Sequence, residues 1–388
     1  MSVLSPFLVA LITALLSGFV RGRALRLVNL GGAVALLLSA GGLLREVMNT
    51  DRLSVALGNW SLPYAIEFAA DGLSAALVVL IALVAAAVTV FQSNWREMPT
   101  SRGLYPLQHG LVAASIAVCL TADLFNLYVW FELMLMTLLG LLVLGGKTRH
   151  YEAAFKYFAL SMVGTLLMLV AVGLIHGATG HLNFSALRIA ADDPALAESL
   201  RIYVGLLFAA LLLKAGVFPL FAWLPAAYHT LPAPLLALVG GLLTKITMYV
   251  LLRLSGQVFD ATFLLDALGW LAVITMLSGV LGAAYHWDVR RILAFHIISQ
   301  IGYLLLGVAL ASTAGTVATG FFLFHIVLVK ANLFLIAGLI WAQAGHYDLR
   351  RIGGLYPASM LLSLLFLLNA FALVGVPLSE WILEQNIC

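Results

Sequence analysis

Three lysines and one glutamate stand deep inside long apolar stretches of this chain. They are Lys214, Lys245, Lys330 and Glu132. An ionisable side chain at the centre of a bilayer costs roughly 2.5–3.5 kcal/mol on insertion scales, so four would cost on the order of 10 kcal/mol unless they face one another or buried water. Lysine is a compact cation that exchanges its proton readily when it is buried. The pattern therefore indicates a path for an ion or for protons.

The four residues and a nearby histidine have distinct expected roles in this path. Glu132 is expected to be the acid partner of Lys214, because an opposite charge holds the lysine's proton and its withdrawal favours release. Lys245 and Lys330 would continue the row, with His325 as a shuttle that titrates near neutral pH. His325 and Lys330 are five residues apart, about 140° around an ideal helix, so water or a local distortion has to join them.

Each of these residues also has a plainer interpretation. Lysine side chains can snorkel to the membrane interface, although each lysine lies roughly eight or more residues from the nearer end of its stretch. Glu132 could form a static ion pair. His229 and His296 lie near predicted helix ends, where histidines are more often structural, and are kept as possible supporting residues.

Composition excludes most other classes of protein. Of the 388 residues, 63% are hydrophobic and 10% are charged, and the mean hydropathy of +1.08 is typical of a polytopic membrane protein. The net charge of +3 comes without a basic cluster suited to nucleic acid. Cys119 and Cys388 provide neither a disulfide framework nor a metal-ligand spacing, so no cofactor or metal is expected. The first apolar stretch, 3–20, has no positive segment before it, which favours a retained helix over a cleaved signal peptide.

Hydrophobic runs of about 20 residues predict an all-α polytopic fold with about twelve membrane-spanning helices. Asp123 divides the fourth span from the fifth, because the run that contains both is too long for one crossing. Asp71, Asp123 and Asp288 are expected to be caps or loop charges. The predicted spans are 3–20, 27–44, 72–91, 108–122, 124–145, 154–176, 202–221, 236–256, 264–285, 291–311, 316–342 and 357–384.

The loop charges predict the orientation of these spans. With the N-terminus outside, eleven lysines and arginines fall on one side and five on the other, as the positive-inside rule requires. The larger set is Arg21, Arg23, Arg26, Arg96, Arg102, Lys147, Arg149, Arg290, Arg291, Arg350 and Arg351, and the smaller is Arg45, Arg52, Arg188, Arg201 and Arg253. Both termini are therefore expected on the non-cytoplasmic side of a bacterial cytoplasmic (inner) membrane. The longest outer loops, 45–71 and 177–201, are not expected to form a folded domain.

Two predicted spans are interrupted next to an ionisable residue. Pro219 follows Lys214 by five residues and cannot donate a backbone hydrogen bond, and Pro225 is expected to free a second carbonyl one turn later. Span twelve repeats this layout with Pro377 and Glu384. Broken helices of opposite orientation at matching positions are typical of inverted repeats around a midplane site, although prolines are also simply common in membrane helices.

We expect the chain to divide into three parts. Helices 1–3 occupy residues 1–107, a first repeat of helices 4–8 occupies 108–256, and a second repeat of helices 9–12 occupies 264–388. The interior suits protons better than sodium, because a hard cation prefers several oxygen ligands and this interior offers one clear carboxylate and three amines. A sodium ion moved by the assembly would bind to another subunit.

Several stretches of the sequence are specific enough to be recognised. They are Asp123-Leu124-Phe125-Asn126-Leu127-Tyr128 with Glu132, Lys214-Ala215-Gly216-Val217-Phe218-Pro219, Trp223-Leu224-Pro225, Gly240 to Arg253, Phe295-His296-Ile297-Ile298-Ser299-Gln300-Ile301-Gly302-Tyr303, and His325 through Leu335. These stretches resemble the antiporter-type membrane subunits shared by complex I and its relatives. More narrowly, the last two of these stretches resemble the D subunits of Mrp-type multisubunit cation/proton antiporters, and the resemblance covers nearly the whole chain.

The resemblance implies fourteen helices, two inverted five-helix repeats and assembly with several other membrane subunits. It also implies a proton path through Glu132, Lys214, Lys245, His325 and Lys330, with Glu132 and Lys214 as a switching pair.

The C-terminal segment departs from the family pattern Gly-x-Pro-Pro-x-Ser-Gly-Phe-x-x-Lys/Glu. Between Gly375 and Glu384 one residue and the second proline are missing, and Glu380 replaces a glycine. The resemblance implies two further helices after the last predicted span, and they are expected to complete the outer half of the path. Glu384 is the candidate for the family's terminal ionisable position.

Three functions are compatible with these observations. The first is a D-type subunit that translocates protons in a multisubunit sodium/proton antiporter, without cofactor and without enzymatic activity of its own. The second is a proton-pumping membrane subunit of a redox complex, such as a membrane-bound hydrogenase or an NADH–quinone oxidoreductase. The third is a scaffold subunit that transports nothing. The expected partners are other membrane subunits, protons, possible sodium ions and the lipid bilayer, with no nucleic acid.

Overall fold

The computed structural model describes residues 3–58, 60, 62, 64–93, 95 and 101–375, and most of these are helical. The helices of the first half are α1 (Ser5–Phe19), α2 (Gly22–Thr50), α3 (Gly72–Gln92), α4 (Leu104–Leu120), α5 (Leu124–Val143), α6 (Thr148–Thr179) and α7 (Phe184–Ala191). Those of the second half are α8 (Ala197–Ala215), α9 (Trp223–Tyr228), α10 (Ala233–Arg253), α11 (Leu265–Tyr285), α12 (Val289–Ala309), α13 (Thr313–Ala344), α14 (Leu355–Ala358) and α15 (Met360–Val374). A π-helical turn (Leu254–Val258) follows α10, and a 3-10 turn (Thr262–Leu264) precedes α11.

The long helices coincide with the predicted spans. Among the described residues, eight helices are long and apolar enough to cross a membrane, and α1, α4 and α15 are shorter apolar helices. α8 is 19 residues long and carries Glu198, Arg201 and Lys214. Each predicted span overlaps one of these helices, so the polytopic helical class is confirmed. The number of crossings and the division at 107 and 256 stay predictions.

Aspartate side chains start three helices where caps were predicted. The Asp71 carboxylate accepts a hydrogen bond from the Ser74 N–H at 2.9 Å, and Asp123 accepts one from the Asn126 N–H at 2.7 Å. Asp288 caps α12 in the same way. An acceptor at this position satisfies an N–H group that has no partner at a helix start. The predicted division between the fourth and fifth spans at Asp123 is confirmed.

The loop 45–71 contains a feature that the all-α prediction missed. β1 (Arg52–Ala56) and β2 (Glu67–Asp71) form an antiparallel pair. Most of β2 is buried, and Phe68 bridges to Thr121 at the end of α4. The strand forms because buried backbone N–H and C=O groups need partners, and the neighbouring strand supplies them.

The second long loop packs against this hairpin. Asn183 caps α7 by accepting a hydrogen bond from the Ser185 N–H at 3.0 Å. Its Nδ2 also donates to Glu67 Oε2 at 2.7 Å, and both Asn183 and Glu67 are buried. The two loops therefore form one cap over the junction of α4 and α5.

α10 is the centre of the bundle. Every residue from Ala233 to Leu252 is buried, and α10 packs against α13, α3, α8 and α12. Small residues allow the close approach to α13: a Cβ added at Gly241 would lie 3.4 Å from the Cβ of Ala331. This packing brings the helix of Lys245 against the helix of Lys330.

Candidate functional site

The break in the seventh predicted span begins one residue after Lys214, where α8 ends. Gly216 has a φ of 79°, a left-handed conformation that glycine adopts without a steric penalty. The Phe218–Pro219 peptide bond is cis, and the chain turns until α9 begins at Trp223. The interruption predicted at Pro219 is confirmed, and it places the end of a helix beside Lys214.

The prediction of a second break in this span, at Pro225, is wrong. Pro225 lies in the first turn of α9, where a backbone N–H needs no helical partner. The carbonyl of Phe221, which Pro225 was expected to free, accepts a hydrogen bond from the Leu224 N–H at 3.0 Å. The corresponding break at Pro377 and the ionisable residue Glu384 lie outside the described residues, and both stay predictions.

Among the described residues, Lys214 contacts a hydroxyl and not its expected acid partner. Its Nζ donates a hydrogen bond to Thr165 Oγ1 on α6 at 2.8 Å and lies 5.5 Å from the centre of the Phe131 ring. Glu132 is close enough for its charge to act on Lys214. The described residues nevertheless contain no Lys214–Glu132 contact within 4.0 Å, and Glu132 Oε2 is buried without a hydrogen-bond partner. The expected direct ion pair is therefore not formed here, because the threonine hydroxyl holds the lysine.

A cavity of about 30 Å³ adjoins Lys214. Its polar lining comes from Tyr157 and Ser161 on α6, Thr247 on α10 and Lys214 itself, and Trp223 closes one side. A single water needs roughly 10–15 Å³ and two or more polar partners. The cavity meets both conditions, and it extends from the break in the seventh span to the central helix.

Lys245 is fully buried in the middle of α10. Its Nζ donates to the carbonyl of Gly240 at 2.6 Å, within its own helix. The hydroxyl of the neighbouring Thr244 is buried without a hydrogen-bond partner in the part of the chain that the structure describes. Lys245 therefore has a neutral acceptor and no carboxylate among its described contacts.

Lys330 is also fully buried, on α13. Its Nζ has no hydrogen-bond partner among the described residues. Lys245 and His296 are both near enough for their charges to act on it. His296 lies two turns inside α12, not near its end as expected, and its Nδ1 is buried and unpartnered within the described chain. The structure therefore brings Lys245, Lys330 and His296 into one region.

Sequence reasoning missed Gln300 as a member of this region. Both amide atoms of Gln300 are buried and have no hydrogen-bond partner in the described residues. Gln300 lies one helical turn after His296, so the two share a face of α12. A polar residue inside the apolar run 291–311 was the available signal. Thr165 gave no comparable signal, because threonine is common in membrane helices.

His325 is directed to a different neighbour. Its Nε2–H donates to the carbonyl of Ala372 on α15 at 2.9 Å. His325 and Lys330 were expected on different faces of one helix, and only Lys330 is fully buried. His325 thus lies between α13 and the last described helix, towards the C-terminal segment.

His229 is separate from the lysine row. Its Nδ1 lies 2.8 Å from the carbonyl of Pro225, and its Nε2 lies 3.2 Å from a guanidinium nitrogen of Arg291. A carbonyl only accepts and a guanidinium only donates, so Nδ1 carries the proton and Nε2 accepts. His229 is a neutral residue in the wall of another cavity.

Comparison with known proteins gives the family. Residues 121–384 match the family described as "NADH:quinone oxidoreductase/Mrp antiporter, TM". The chain belongs to this family. The D subunit of the Na+/H+ antiporter of Alkalihalophilus pseudofirmus is 34% identical over 381 residues, covering 97% of this chain and 76% of that protein. The corresponding D subunit of Bacillus subtilis is 31% identical over 380 residues, covering 97% and 77%. The expected resemblance to Mrp-type D subunits is confirmed.

Solved structures of the Mrp antiporter family and its relatives share the fold. A chain of the Mrp complex from Dietzia sp. superposes with a TM-score of 0.87 at 30% identity, covering 96% of this chain and 70% of that one. A chain of the membrane-bound sulfane sulfur reductase, an archaeal respiratory membrane complex, superposes with a TM-score of 0.90 at 25% identity, covering 97% and 78%. Both relatives are parts of larger membrane complexes, in agreement with the expected partner subunits. The chain is a membrane cation/proton antiporter subunit by family.

Proposed function

We propose that this chain is the proton-translocating subunit of a multisubunit Na+/H+ antiporter. The observation that carries the proposal is the row of buried amines. Lys214 lies at a helix break beside a cavity large enough for water, and Lys245 and Lys330 are fully buried with no carboxylate contact among the described residues. Such groups in a membrane interior mark ion and proton pathways.

Lys214 works as the first switch of the relay. While the lysine Nζ contacts Thr165, one oxygen of Glu132 has no hydrogen-bond partner among the described residues, and an unpaired buried carboxylate is costly. Rotation of the lysine side chain to Glu132 forms the ion pair and holds the proton on the lysine. Rotation back to Thr165 weakens this hold and favours transfer of the proton to water in the adjoining cavity.

The central helix receives the proton from this cavity. Thr247 lines the cavity, and Lys245 lies two residues earlier on α10. Two ammonium groups repel strongly in an interior of low dielectric constant. The pair of Lys245 and Lys330 therefore holds one excess proton at a time and passes it from α10 to α13.

Water completes the path between α10, α12 and α13. Thr244, His296, Gln300 and Lys330 have buried polar atoms without a partner among the described residues, and ordered water would satisfy these atoms. His325, directed to α15, and Glu384 would carry the proton on towards the other side. Sodium binds to a partner subunit, because the amines of this row cannot ligate a cation. Both termini lie on the non-cytoplasmic side of a bacterial cytoplasmic membrane.

The test is cation-driven pH change in vesicles that contain the assembled complex. Lys214→Leu should reduce this signal to background, because the relay loses its first proton carrier. Lys156→Leu is the matched control: Lys156 is an exposed lysine on α6, paired with Glu152, and its loss should leave the signal unchanged. Full activity of both Lys214→Leu and Glu132→Gln would instead favour a scaffold subunit.

The likeness to the archaeal respiratory complex favours one alternative, a proton-pumping subunit of a redox assembly. In that case the chain would carry protons by the same residues and hold no redox group itself. Purification of the complex through a tag on this chain separates the two functions. Iron–sulfur absorbance in the purified complex supports the redox assembly, and its absence together with sodium-driven pH change supports the antiporter.

A further inference from the structure

A second cavity, of about 520 Å³, lies at the end of the bundle opposite the hairpin cap. It is formed where α9 ends, where α11 turns into α12, and by the segment after α13. Its lining includes His229, Asp288, Arg291, Asp348 and Arg350. By the positive-inside rule this end faces the cytoplasm. None of these residues belongs to the lysine row.

Both carboxylates of this cavity are already neutralised. Arg290 contacts Asp288 at 2.9 and 3.2 Å, and Arg350 contacts Asp348 at 2.7 and 3.0 Å. Burial would raise the pKa of Asp288, but its hydrogen bonds and the charge of Arg290 outweigh burial and lower it. Hydrogen bonding to Arg350 lowers the pKa of Asp348 to about 2. Both aspartates therefore stay ionised and paired.

Arg291 is left with its charge uncompensated. Within the described chain it has no carboxylate contact within 4.0 Å, and its hydrogen bond is to the neutral His229 at 3.2 Å. A guanidinium has five N–H donors, so most of those of Arg291 remain for a ligand in the cavity. A planar fork of this kind matches the oxygens of a phosphate group.

An apolar stripe leads along α11 to the mouth of the cavity. Trp270, Leu277, Leu281 and Tyr285 recur at helical spacing, and their side chains are between 60% and 82% exposed. Tyr285 ends the stripe and lines the cavity, together with the exposed Trp287. Tyrosine and tryptophan at a membrane–water interface commonly lie at headgroup level. Such a stripe on a membrane helix faces acyl chains.

We propose that this cavity binds the phosphate of an anionic phospholipid, whose acyl chains lie along the stripe of α11. The uncompensated guanidinium of Arg291 selects an anionic headgroup, and the stripe selects a lipid over free phosphate. Basic pockets at the cytoplasmic ends of membrane helices bind lipid headgroups in this way.

The experiment uses the assembled complex in vesicles that contain brominated phosphatidylglycerol or brominated phosphatidylcholine. Bromine quenches the fluorescence of nearby tryptophan side chains. The fluorescence of Trp287 is obtained by subtracting the fluorescence of the Trp287→Phe variant from that of the natural chain. Quenching by phosphatidylglycerol should saturate at a concentration at least about fivefold lower than quenching by phosphatidylcholine. A preference of this size is expected from the attraction between one arginine and an anionic lipid headgroup. Arg291→Gln should remove this preference. Arg149→Gln, which removes an exposed charge on the same predicted side, should keep it.

Several outcomes would overturn the proposal. Equal quenching by the two lipids in the natural chain would do so, as would an undiminished preference in Arg291→Gln. Displacement of phosphatidylglycerol by inorganic phosphate would assign the cavity to a free anion. Absence of quenching by either lipid would show that a partner subunit covers the cavity. Because Arg291→Gln also removes the contact with His229, Arg291→Lys is measured beside it and should keep most of the preference.

Discussion

The most informative residues of this chain are the buried lysines, none of which contacts a carboxylate within the part of the chain that the structure describes. Lys214 takes a neutral hydroxyl as its partner, Lys245 takes a backbone carbonyl, and Lys330 has no partner among the described residues. A folding core would not keep such groups at this cost, since replacement by apolar residues is often neutral or stabilising. This cost supports the proposed role of these residues in the exchange of protons.

Thr165 is predicted to control how often Lys214 leaves Glu132 and releases its proton. Thr165→Val removes the acceptor of Lys214, so the lysine should remain on Glu132 and release its proton less often. A hydrogen bond to a charged group contributes about 1.5–3 kcal/mol, which predicts a rate of cation-driven pH change about tenfold to a hundredfold lower. Thr165→Ser keeps the hydroxyl and should keep the rate. Equal rates in Thr165→Val and Thr165→Ser would remove Thr165 from the switch.

The variant Gln300→Leu is predicted to affect stability and proton transport in opposite ways, which distinguishes a role in the relay from a structural role. Gln300→Leu replaces a buried amide that has no hydrogen-bond partner among the described residues, so the thermal unfolding temperature should stay the same or rise. Proton transport should fall by about tenfold or more, because the amide orders the water beside Lys330. Ser299→Ala, at the neighbouring buried position, should change transport little. A Gln300→Leu complex that transports normally would contradict the relay between α12 and α13.

At the scale of helices, periodicity and caps were enough to predict most of the architecture. Long apolar runs predicted the helices, and Asp71, Asp123 and Asp288 predicted where three of them begin. The hairpin of β1 and β2 was not predictable from its own residues, because its buried strand is stabilised by distant partners such as Asn183. Pro225 was misinterpreted because its effect depends on where α9 begins.

The burial of the lysines could be predicted from the sequence, but their hydrogen-bond partners could not. Burial of a lysine in an apolar run can be inferred from the sequence, since the run itself excludes water. The contact of Lys214 depends on how α6 packs against α8. Gly164 permits close packing of these two helices, because a Cβ added there would lie 3.1 Å from the side chain of Leu213. Thr165, whose hydroxyl accepts the hydrogen bond from Lys214, is the next residue after Gly164.

The contact between α10 and α13 is predicted to be sensitive to side-chain size. Gly241→Leu would force the two helices apart, because a Cβ at Gly241 already lies 3.4 Å from Ala331. Overpacking of this kind costs about 1–3 kcal/mol, and it should lower both the thermal unfolding temperature and transport. Gly205→Leu is the matched control and should be tolerated, because no atom of the described residues lies within 4 Å of a Cβ added at Gly205. Equal unfolding temperatures for the two variants would contradict the close packing.

For the whole molecule, the loop charges predict one orientation in the membrane. Ser54→Cys in β1 should react with a membrane-impermeant maleimide added outside cells, and Thr148→Cys at the start of α6 should react only in inverted vesicles. Both positions are exposed, and Cys119 and Cys388 are replaced by serine in this experiment. Labelling of Thr148→Cys from outside would reverse the topology and place the Arg291 cavity on the other side.

The central claim is that water joins the buried amines across the middle of the membrane. The most direct test is a structure of the assembled complex at a resolution that shows ordered water. The account predicts water in the cavity beside Lys214 and further water in contact with Lys330 and Gln300. Dry apolar packing between Lys214 and Lys245, or between Lys245 and Lys330, in every state of the transport cycle would contradict it.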